Sequence, residues 1–234
     1  MIHAVLFDFY DTLARVDPET ILSGRRALAE RAGVDPEAMG VLWRDSAAER
    51  MLGQGGELAA QIGRMLEQLG RPAAPDRLAE LAALEIRTWS EAVTLYPDAR
   101  PALAALKARG YRLGVLSNCS DQAGYVIERA GLDDVFDTLA LSFRLGVAKP
   151  QPAIYEQACA ALGVQPTETV FVADGAFGEL DAARDLGIVA VLIEQDGQSR
   201  SYGSSAKWDY RVDNLAAVPP LVDRIALGSA TPPG

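Results

Sequence analysis

After Tyr96 the sequence alternates between short apolar segments and amphipathic segments that stop at a glycine. Helices are predicted at 97–109, 121–130, 150–162 and 177–186, and each is followed directly by a glycine. Glycine is the residue that most readily adopts the left-handed conformation just past a helix C-terminus. Strands are predicted at 111–116, 138–143, 169–173, 188–193 and 210–212. Repeated strand–helix units with short connections predict an α/β fold, with a mostly parallel sheet that helices cover on both faces.

A long block without strand candidates interrupts this pattern near the start of the chain. The first strand is predicted at 3–9, and the alternation resumes only after Tyr96. Between them, apolar residues recur at helical spacing, which predicts helices at 19–33, 37–52, 58–70 and 75–93. We therefore expect a Rossmann-like core formed by residues 1–15 and 94–234, and an inserted all-helical cap at 16–93. A loop is predicted at 195–206, a last helix at 215–227 and a tail at 229–234.

Composition excludes several classes of partner and location. No apolar run approaches the roughly 20 residues that a membrane-spanning helix needs. The formal net charge of -10 argues against a nucleic-acid backbone or an anionic membrane, since both require clustered basic residues. The first residues lack the pattern of a signal peptide, and two cysteines are too few for a disulfide framework. A reducing, cytoplasmic location is expected.

The chain contains one histidine, His3, close to its start. Mechanisms that use two histidines are therefore excluded, and so are the histidine-rich zinc sites. A Ser-His-Asp triad would have to use His3. An enzyme with this composition must rely on carboxylates and lysine, with or without a metal ion.

Polar residues follow the predicted strands at the edge where open parallel sheets bind their ligands. These residues are Asp8, Ser117, Asn118 and Asp174, with Lys149 just before a predicted helix. One carboxylate can attack phosphorus and form an acyl phosphate, and a second can hold Mg²⁺. A hydroxyl and a lysine can bind the remaining phosphoryl oxygens and offset their charge.

Four segments carry these residues: VLFDFYDTL (5–13), GVLSNCS (114–120), GVAKPQPAIY (146–155) and VFVADGAFGELDAAR (170–184). In this order they resemble the haloacid dehalogenase-like hydrolase superfamily, in the branch with a helical cap inserted after the first motif. The resemblance covers nearly the whole chain. Each segment alone is weak evidence, whereas four in order are strong.

The resemblance implies a role for each matching position. Asp8 corresponds to the nucleophile, and Lys149 to the lysine of the third motif. Ser117 and the backbone around Asn118 correspond to the phosphate-binding segment. The metal, Mg²⁺, is expected on Asp8, Asp174 and the main-chain carbonyl of Tyr10, with Glu179 supporting a metal-bound water in the second shell.

Tyr10 departs from the pattern of the phosphatases in this superfamily. They carry a second aspartate two residues after the nucleophile, which protonates the leaving group and then activates water. Tyrosine is typical there of 2-haloacid dehalogenases, whose aspartate attacks carbon without a metal. Asp11, one position later, is a poor substitute, and a tyrosine hydroxyl is a weak base because its usual pKa is near 10.

Asp174 separates the two leading hypotheses. Dehalogenases of this kind usually carry serine at that position, and a second buried carboxylate would repel Asp8 unless a cation lay between them. We therefore favour a Mg²⁺-dependent phosphatase, with Asp8, Tyr10 and Lys149 as catalytic residues. The alternatives are a 2-haloacid dehalogenase and a non-catalytic member that binds a phosphorylated ligand or a protein.

The expected partner is a small phosphorylated metabolite, bound by a monomer or homodimer with no nucleic acid or membrane. Arg15 lies at the expected hinge into the cap and is a candidate substrate-binding residue. The cap also carries arginines on two predicted helices, and any of them can meet a substrate anion: Arg25, Arg26, Arg44 and Arg50. A solvated or ion-paired arginine is the ordinary interpretation of each.

Overall fold

The structure is a computed structural model that describes residues 1–195 and 207–229. Its strands are β1 (Ala4–Phe7), β2 (Ala14–Val16), β3 (Val93–Leu95), β4 (Arg112–Ser117), β5 (Thr138–Leu141), β6 (Thr169–Ala173), β7 (Val189–Ile193) and β8 (Tyr210–Val212). Six of them form a parallel sheet in the order β5-β4-β1-β6-β7-β8. In its centre Leu6 pairs with Gly114 on one side and with Phe171 on the other. The predicted α/β, parallel-sheet fold is confirmed.

Helices cover both faces of this sheet. They are α6 (Ala99–Ala108), α7 (Gln122–Arg129), α8 (Ser142–Leu145), α9 (Pro152–Leu162), α10 (Glu179–Asp185) and α11 (Val218–Ala226). Because side chains alternate along a strand, Val5 and Phe7 join the core on the α6 face, whereas Ala4 and Leu6 join the core under α9. Both faces of β1 are thus buried, which explains its uninterrupted apolar sequence.

The inserted block is entirely helical between β2 and β3. It contains α1 (Pro18–Ala32), α2 (Pro36–Asp45), α3 (Ala47–Met51), α4 (Leu58–Gln68) and α5 (Pro75–Ala92). These helices enclose an apolar cluster of their own, with Leu28, Trp43, Ile62, Leu66 and Leu81 among its buried members. The expected helical cap is therefore present as an insertion in the α/β core.

One predicted cap helix, at 37–52, is two helices. The break falls at Ser46, whose hydroxyl donates to the carbonyl oxygens of Leu42 and Trp43. A serine that bonds back to the preceding turn competes with the helical backbone pattern and bends the chain. The periodicity of apolar residues continues across Ser46, so the pattern alone did not reveal the break.

A two-stranded antiparallel ribbon, which the sequence did not predict, joins the cap to the core. It pairs β2 with β3, so that Arg15 lies opposite Thr94 and Val16 opposite Val93. Each strand has only three residues, too few to display alternation. The expected cap limits, residues 16 and 93, fall in this ribbon.

Further boundaries differ from the prediction by a few residues, and three of these differences reflect a change of element type. The strand predicted at 138–143 ends at Leu141, because Ser142 begins the short helix α8. The helix predicted at 177–186 begins at Glu179, after a 3-10 turn at Ala176–Gly178, and that predicted at 215–227 opens with a 3-10 turn at Leu215–Ala217. Most of the predicted loop at 195–206 and tail at 229–234 lies outside the described residues. Among the described helices, none combines the length and the apolar character needed to cross a membrane.

Candidate active site

Three adjacent strands deliver polar residues to one edge of the sheet. Asp8 directly follows β1, Ser117 is the last residue of β4, and Asp174 directly follows β6. Since β4 and β6 flank β1, these side chains lie close together, and all three residues are buried. The sequence-predicted strand-end residues therefore do meet at one place.

Lys149 reaches this edge from the loop before α9. Its ammonium Nζ lies 2.8 Å from Asp8 Oδ1 and 2.5 Å from Glu179 Oε2. Burial alone would lower the pKa of Lys149, but the charges of Asp8 and Glu179 outweigh burial and raise it. The lysine is thus a fixed positive charge and not a base.

Asn118 holds the Lys149 loop in place. Its Nδ2 donates to the main-chain oxygen of Lys149 at 2.9 Å, and its Oδ1 accepts from the main-chain nitrogen of Lys149 at 2.8 Å. The side-chain amide is therefore occupied by the lysine backbone. Asn118 therefore matches the resemblance, which implied a contact with substrate through the backbone at this position and not through its side chain.

Three carboxylates converge beside the lysine. Oxygen atoms of Asp8, Asp174 and Glu179 all lie within 4.8 Å of one another. Burial and the charge of Asp8 raise the pKa of Asp174 to about 6. Burial also raises the pKa of Glu179 above its usual value, although the charge of Lys149 opposes the rise. A single ammonium does not neutralise three carboxylates, so the group has the charge and the oxygen ligands that suit a hard divalent cation.

The loop after β6 fixes two of these carboxylates through its backbone. Ala176 N donates to Asp174 Oδ1, and Gly175 N donates to Glu179 Oε1, each at 3.2 Å. The other oxygen of Glu179, Oε2, remains for its contact with Lys149. Glu179, expected as a supporting residue, therefore contacts Lys149 and belongs to the carboxylate group itself.

Tyr10 lies between the nucleophile segment and the cap. Its ring packs against Phe9 at 5.1 Å and against Trp89 of α5 at 5.6 Å between centroids. Burial, followed by the nearby Cys119 and Asp8, raises the pKa of Tyr10 well above its usual value. The hydroxyl is therefore neutral at physiological pH and cannot act as a general base.

The chain folds back directly after Tyr10. Asp11 N donates to Ala14 O at 2.6 Å, and Ala14 N donates to Phe9 O at 3.0 Å. Neither bond involves the carbonyl oxygen of Tyr10, so that oxygen takes no part in the hydrogen bonds of this turn. The carbonyl is thus compatible with the ligand role that the resemblance implies.

Two buried hydroxyls complete the edge. Ser117 Oγ and Thr12 Oγ1 have no hydrogen-bond partner within residues 1–195 and 207–229. Burying a hydroxyl without a partner is costly, so both hydroxyls remain available to an incoming oxygen. Thr12 was missed by sequence reasoning, although its position four residues after Asp8 could have signalled it. Gln195, also missed, donates from Nε2 to Thr12 O at 3.0 Å.

The structure does not bring Arg15 into this buried group. Arg15 is exposed at the centre of β2. The cap instead directs Arg25 towards the site region, where Arg25 Nε bonds Glu85 Oε1 at 3.2 Å and Trp89 Nε1 bonds the same oxygen at 3.0 Å. Glu85 was missed, although a glutamate four residues before a tryptophan on an otherwise apolar helix face could have indicated a buried pair.

Comparison with known proteins gives the family of this chain. The model of the haloacid dehalogenase-like hydrolases matches residues 2–187. The chain belongs to this family. It is 30% identical to (S)-2-haloacid dehalogenase 4A of Burkholderia cepacia, over 94% of this chain and 95% of the relative. It is 29% identical to glyceraldehyde 3-phosphate phosphatase of Methanopyrus kandleri, over 83% of this chain and 85% of the relative.

A solved structure gives the same result for the fold of this haloacid dehalogenase-like hydrolase. A dehalogenase crystal structure superimposes with a TM-score of 0.62 and 30% identity, over 94% of this chain and 96% of that chain. The resemblance inferred from the four sequence segments is confirmed. Because the relatives include both dehalogenases and phosphatases, similarity supports hydrolase chemistry and does not select between these two reactions.

Proposed function

We propose that this haloacid dehalogenase-like hydrolase is a Mg²⁺-dependent phosphatase that acts on a small phosphorylated metabolite. The observation that carries the proposal is the convergence of Asp8, Asp174 and Glu179 oxygens within 4.8 Å of one another. Buried carboxylates this close repel one another unless a cation lies between them, which a reaction without a metal does not provide. A phosphatase needs these carboxylates to bind the cation that accompanies a phosphate dianion.

In the proposed reaction Asp8 attacks phosphorus, a covalent aspartyl-phosphate forms, and the ester P–O bond breaks. The leaving oxygen takes up a proton from solvent, and water then attacks the acyl phosphate, which releases inorganic phosphate and regenerates the Asp8 carboxylate. Lys149 offsets the charge on Asp8 and on the phosphoryl oxygens, to which Ser117 and Thr12 donate hydrogen bonds. Mg²⁺ would be held by Asp8, Asp174 and the Tyr10 carbonyl, with Glu179 beside them, and would neutralise the phosphoryl group.

One observation favours a second candidate, a 2-haloacid dehalogenase. Tyr10 occupies the position of the acid–base aspartate, and its neutral hydroxyl cannot activate water as a base. In that reaction Asp8 would displace halide from carbon and form an ester, which water would then hydrolyse. The carboxylates of Asp174 and Glu179 would oppose a carboxylate substrate at this place, so we rank this candidate second.

The deciding experiment compares two substrates on the same preparation. We expect hydrolysis of p-nitrophenyl phosphate that needs Mg²⁺, stops with EDTA and is lost in Asp8→Asn. Halide release from (S)-2-chloropropionate that persists in EDTA would instead establish the dehalogenase. Tight binding of phosphorylated compounds without turnover of either substrate would support the non-catalytic alternative.

A further inference from the structure

Ser142 joins three parts of the molecule through one hydroxyl. It is the first residue of α8 and has 0% of its surface exposed. Its Oγ lies 2.9 Å from the main-chain nitrogen and 3.0 Å from the main-chain oxygen of Cys119. The same Oγ lies 2.8 Å from the main-chain oxygen of Met51, the last residue of α3 in the cap. One side chain of the core therefore contacts both the segment after β4 and the cap.

The bond from the Cys119 nitrogen is the constant one among these contacts. A serine hydroxyl carries one proton, so Ser142 donates either to Met51 O or to Cys119 O, while its oxygen remains an acceptor. In both arrangements Ser142 Oγ accepts from Cys119 N. The hydroxyl therefore holds the backbone at Cys119 whichever carbonyl receives its proton.

The place of Ser142 follows from where the strands stop pairing. β4 and β5 pair in parallel up to Ser117 and Leu141, which are the last residues of the two strands. The chain then enters α8, so the backbone of β5 no longer runs beside the residues after Ser117. A buried N–H group without an acceptor is costly. The Ser142 side chain supplies the acceptor that Cys119 N needs beyond the end of the strand pairing.

The segment that Ser142 holds carries groups of the active site. Ser117 lies two residues before Cys119, and Asn118 between them is fixed by two hydrogen bonds of its own side chain. Cys119 is also close enough to Asp8 for the two side chains to interact electrostatically. A shift of the backbone at Cys119 would therefore move the Ser117 hydroxyl relative to Asp8.

The contact of Ser142 with Met51 is part of a packed junction between cap and core. Helix α3 packs on α8. The carbonyl oxygen of Leu52, next to Met51, lies 4.0 Å from where a Cβ on Gly146 would stand, directly after α8. Ser142 Oγ thus has a partner on the cap side as well as on the core side, and these bonds restrain the rotation of its side chain.

We infer that Ser142 is a positioning residue, which holds the backbone at Cys119 and thereby places the Ser117 hydroxyl against the reacting group. The inference rests on the proposed phosphatase function, in which Ser117 donates to the phosphoryl oxygens, and adds a residue that acts through Ser117. A misplacement of about 1 Å in a catalytic site can cost about a hundredfold in rate. Removal of the Ser142 hydroxyl should therefore lower turnover through its effect on Ser117.

The test is a double-mutant cycle between Ser142 and Ser117, measured as kcat/KM for p-nitrophenyl phosphate with Mg²⁺. We expect Ser142→Ala to lower kcat/KM about tenfold in the otherwise unmodified protein and less than about twofold in the Ser117→Ala variant. The effects should not add, because both changes remove one contact with the phosphoryl group. Ser142→Thr keeps the hydroxyl and should restore kcat/KM to within about threefold of the unmodified value.

Thr169→Val is the matched control. Thr169 is also fully buried, and its hydroxyl donates to the main-chain oxygen of Gln165 at 3.0 Å. It begins β6, whereas Asp174 follows the other end of that strand. This change should lower Tm and leave kcat/KM within about twofold. If circular dichroism shows that Ser142→Ala does not fold, Ser142→Cys takes its place in the cycle, since a thiol is a weaker donor and acceptor.

The outcomes separate the positioning role from the proposed function. Mg²⁺-dependent hydrolysis that Ser142→Ala leaves unchanged, or reduces equally with and without Ser117, would overturn the positioning role and leave the phosphatase standing. A folded Ser142→Thr variant as slow as Ser142→Ala would have the same consequence. If the unmodified protein did not hydrolyse p-nitrophenyl phosphate, the proposed function and the role of Ser142 would be overturned together.

Discussion

Lys149 supplies the positive charge that offsets the buried carboxylates of the site. It bridges a carboxylate from the first strand of the core and one from α10, at 2.8 and 2.5 Å. The side chain of Asn118 forms hydrogen bonds with both main-chain polar groups of Lys149. The position of the ammonium is therefore fixed by its backbone as well as by the two carboxylates. Positive charge is thereby fixed at the sheet edge of a protein whose net charge is -10, and the proposed phosphate substrate requires such a local charge.

Cys119 provides a prediction at the residue scale. It is buried next to Asp8, and burial together with that charge raises the pKa of its thiol to about 12. The nucleophilic thiolate is therefore nearly absent at pH 8. We expect iodoacetamide to leave Cys119 unmodified in the native protein and to alkylate it after unfolding in urea, as measured by peptide mass spectrometry. If iodoacetamide modified Cys119 in the native protein at the rate of a free cysteine, Cys119 would not be enclosed as described.

Residues next to strand ends could be predicted from the sequence, and their distant partners could not. Asp8, Ser117 and Asp174 each follow an apolar segment, so their placement depends only on local order along the chain. The contact of Glu179 with Lys149 depends on how α10 docks against the preceding loop. The pairing of Arg25 with Glu85, 60 residues apart, likewise depends on the packing of α1 on α5.

At the scale of elements, the sequence likewise reports the local order of the cap and not the contacts that form between distant segments. The long helices could be predicted because apolar spacing reports burial on one face. The β2–β3 ribbon could not, since its strands gain their partners only when the insertion closes. The break at Ser46 is set by one hydroxyl that the spacing of apolar residues does not report.

Gly53 sets how closely the cap approaches the core. It follows α3 with a φ of +68°, and a Cβ there would lie 2.0 Å from the carbonyl oxygen of Phe143 in α8. Gly33 has a similar φ of +74° with nothing within 4 Å. We expect Gly33→Ala to cost about 1–2 kcal/mol of unfolding free energy from backbone strain alone. Gly53→Ala should cost clearly more, because the cap must also move.

Urea unfolding followed by circular dichroism compares these two variants. Equal losses of stability would show that the cap does not press against α8 at Gly53. A larger loss in Gly53→Ala, accompanied by a fall in turnover, is the expected result.

At the scale of the whole molecule, binding of the cation should raise the free energy of unfolding. At Mg²⁺ concentrations about tenfold above Kd, binding adds about 1.4 kcal/mol, or about 3–6 °C in Tm for a chain of this size. Asp174→Asn should remove the shift. Asp185→Asn, exposed on the same loop–helix unit, should keep it.

The increase in Tm that Mg²⁺ causes should also grow as pH rises. Burial and Asp8 raise the pKa of Asp174 to about 6, so protons compete with the cation below that pH and cease to compete above it. Thermal scans at about pH 5 and about pH 7 measure the difference. An equal shift at both pH values, or one that survives Asp174→Asn, would show that the cation binds elsewhere.

The ribbon between cap and core gives the chain a modular construction. Paired strands place their backbones about 5 Å apart, so the chain leaves the core at Val16 and returns at Val93 side by side. A tight turn could join these two points without stretching β1, but Tyr10 would then lose its packing against Trp89 of the cap. The cap is therefore attached to the core at one narrow hairpin base, whereas Asp8 follows a strand of the core itself.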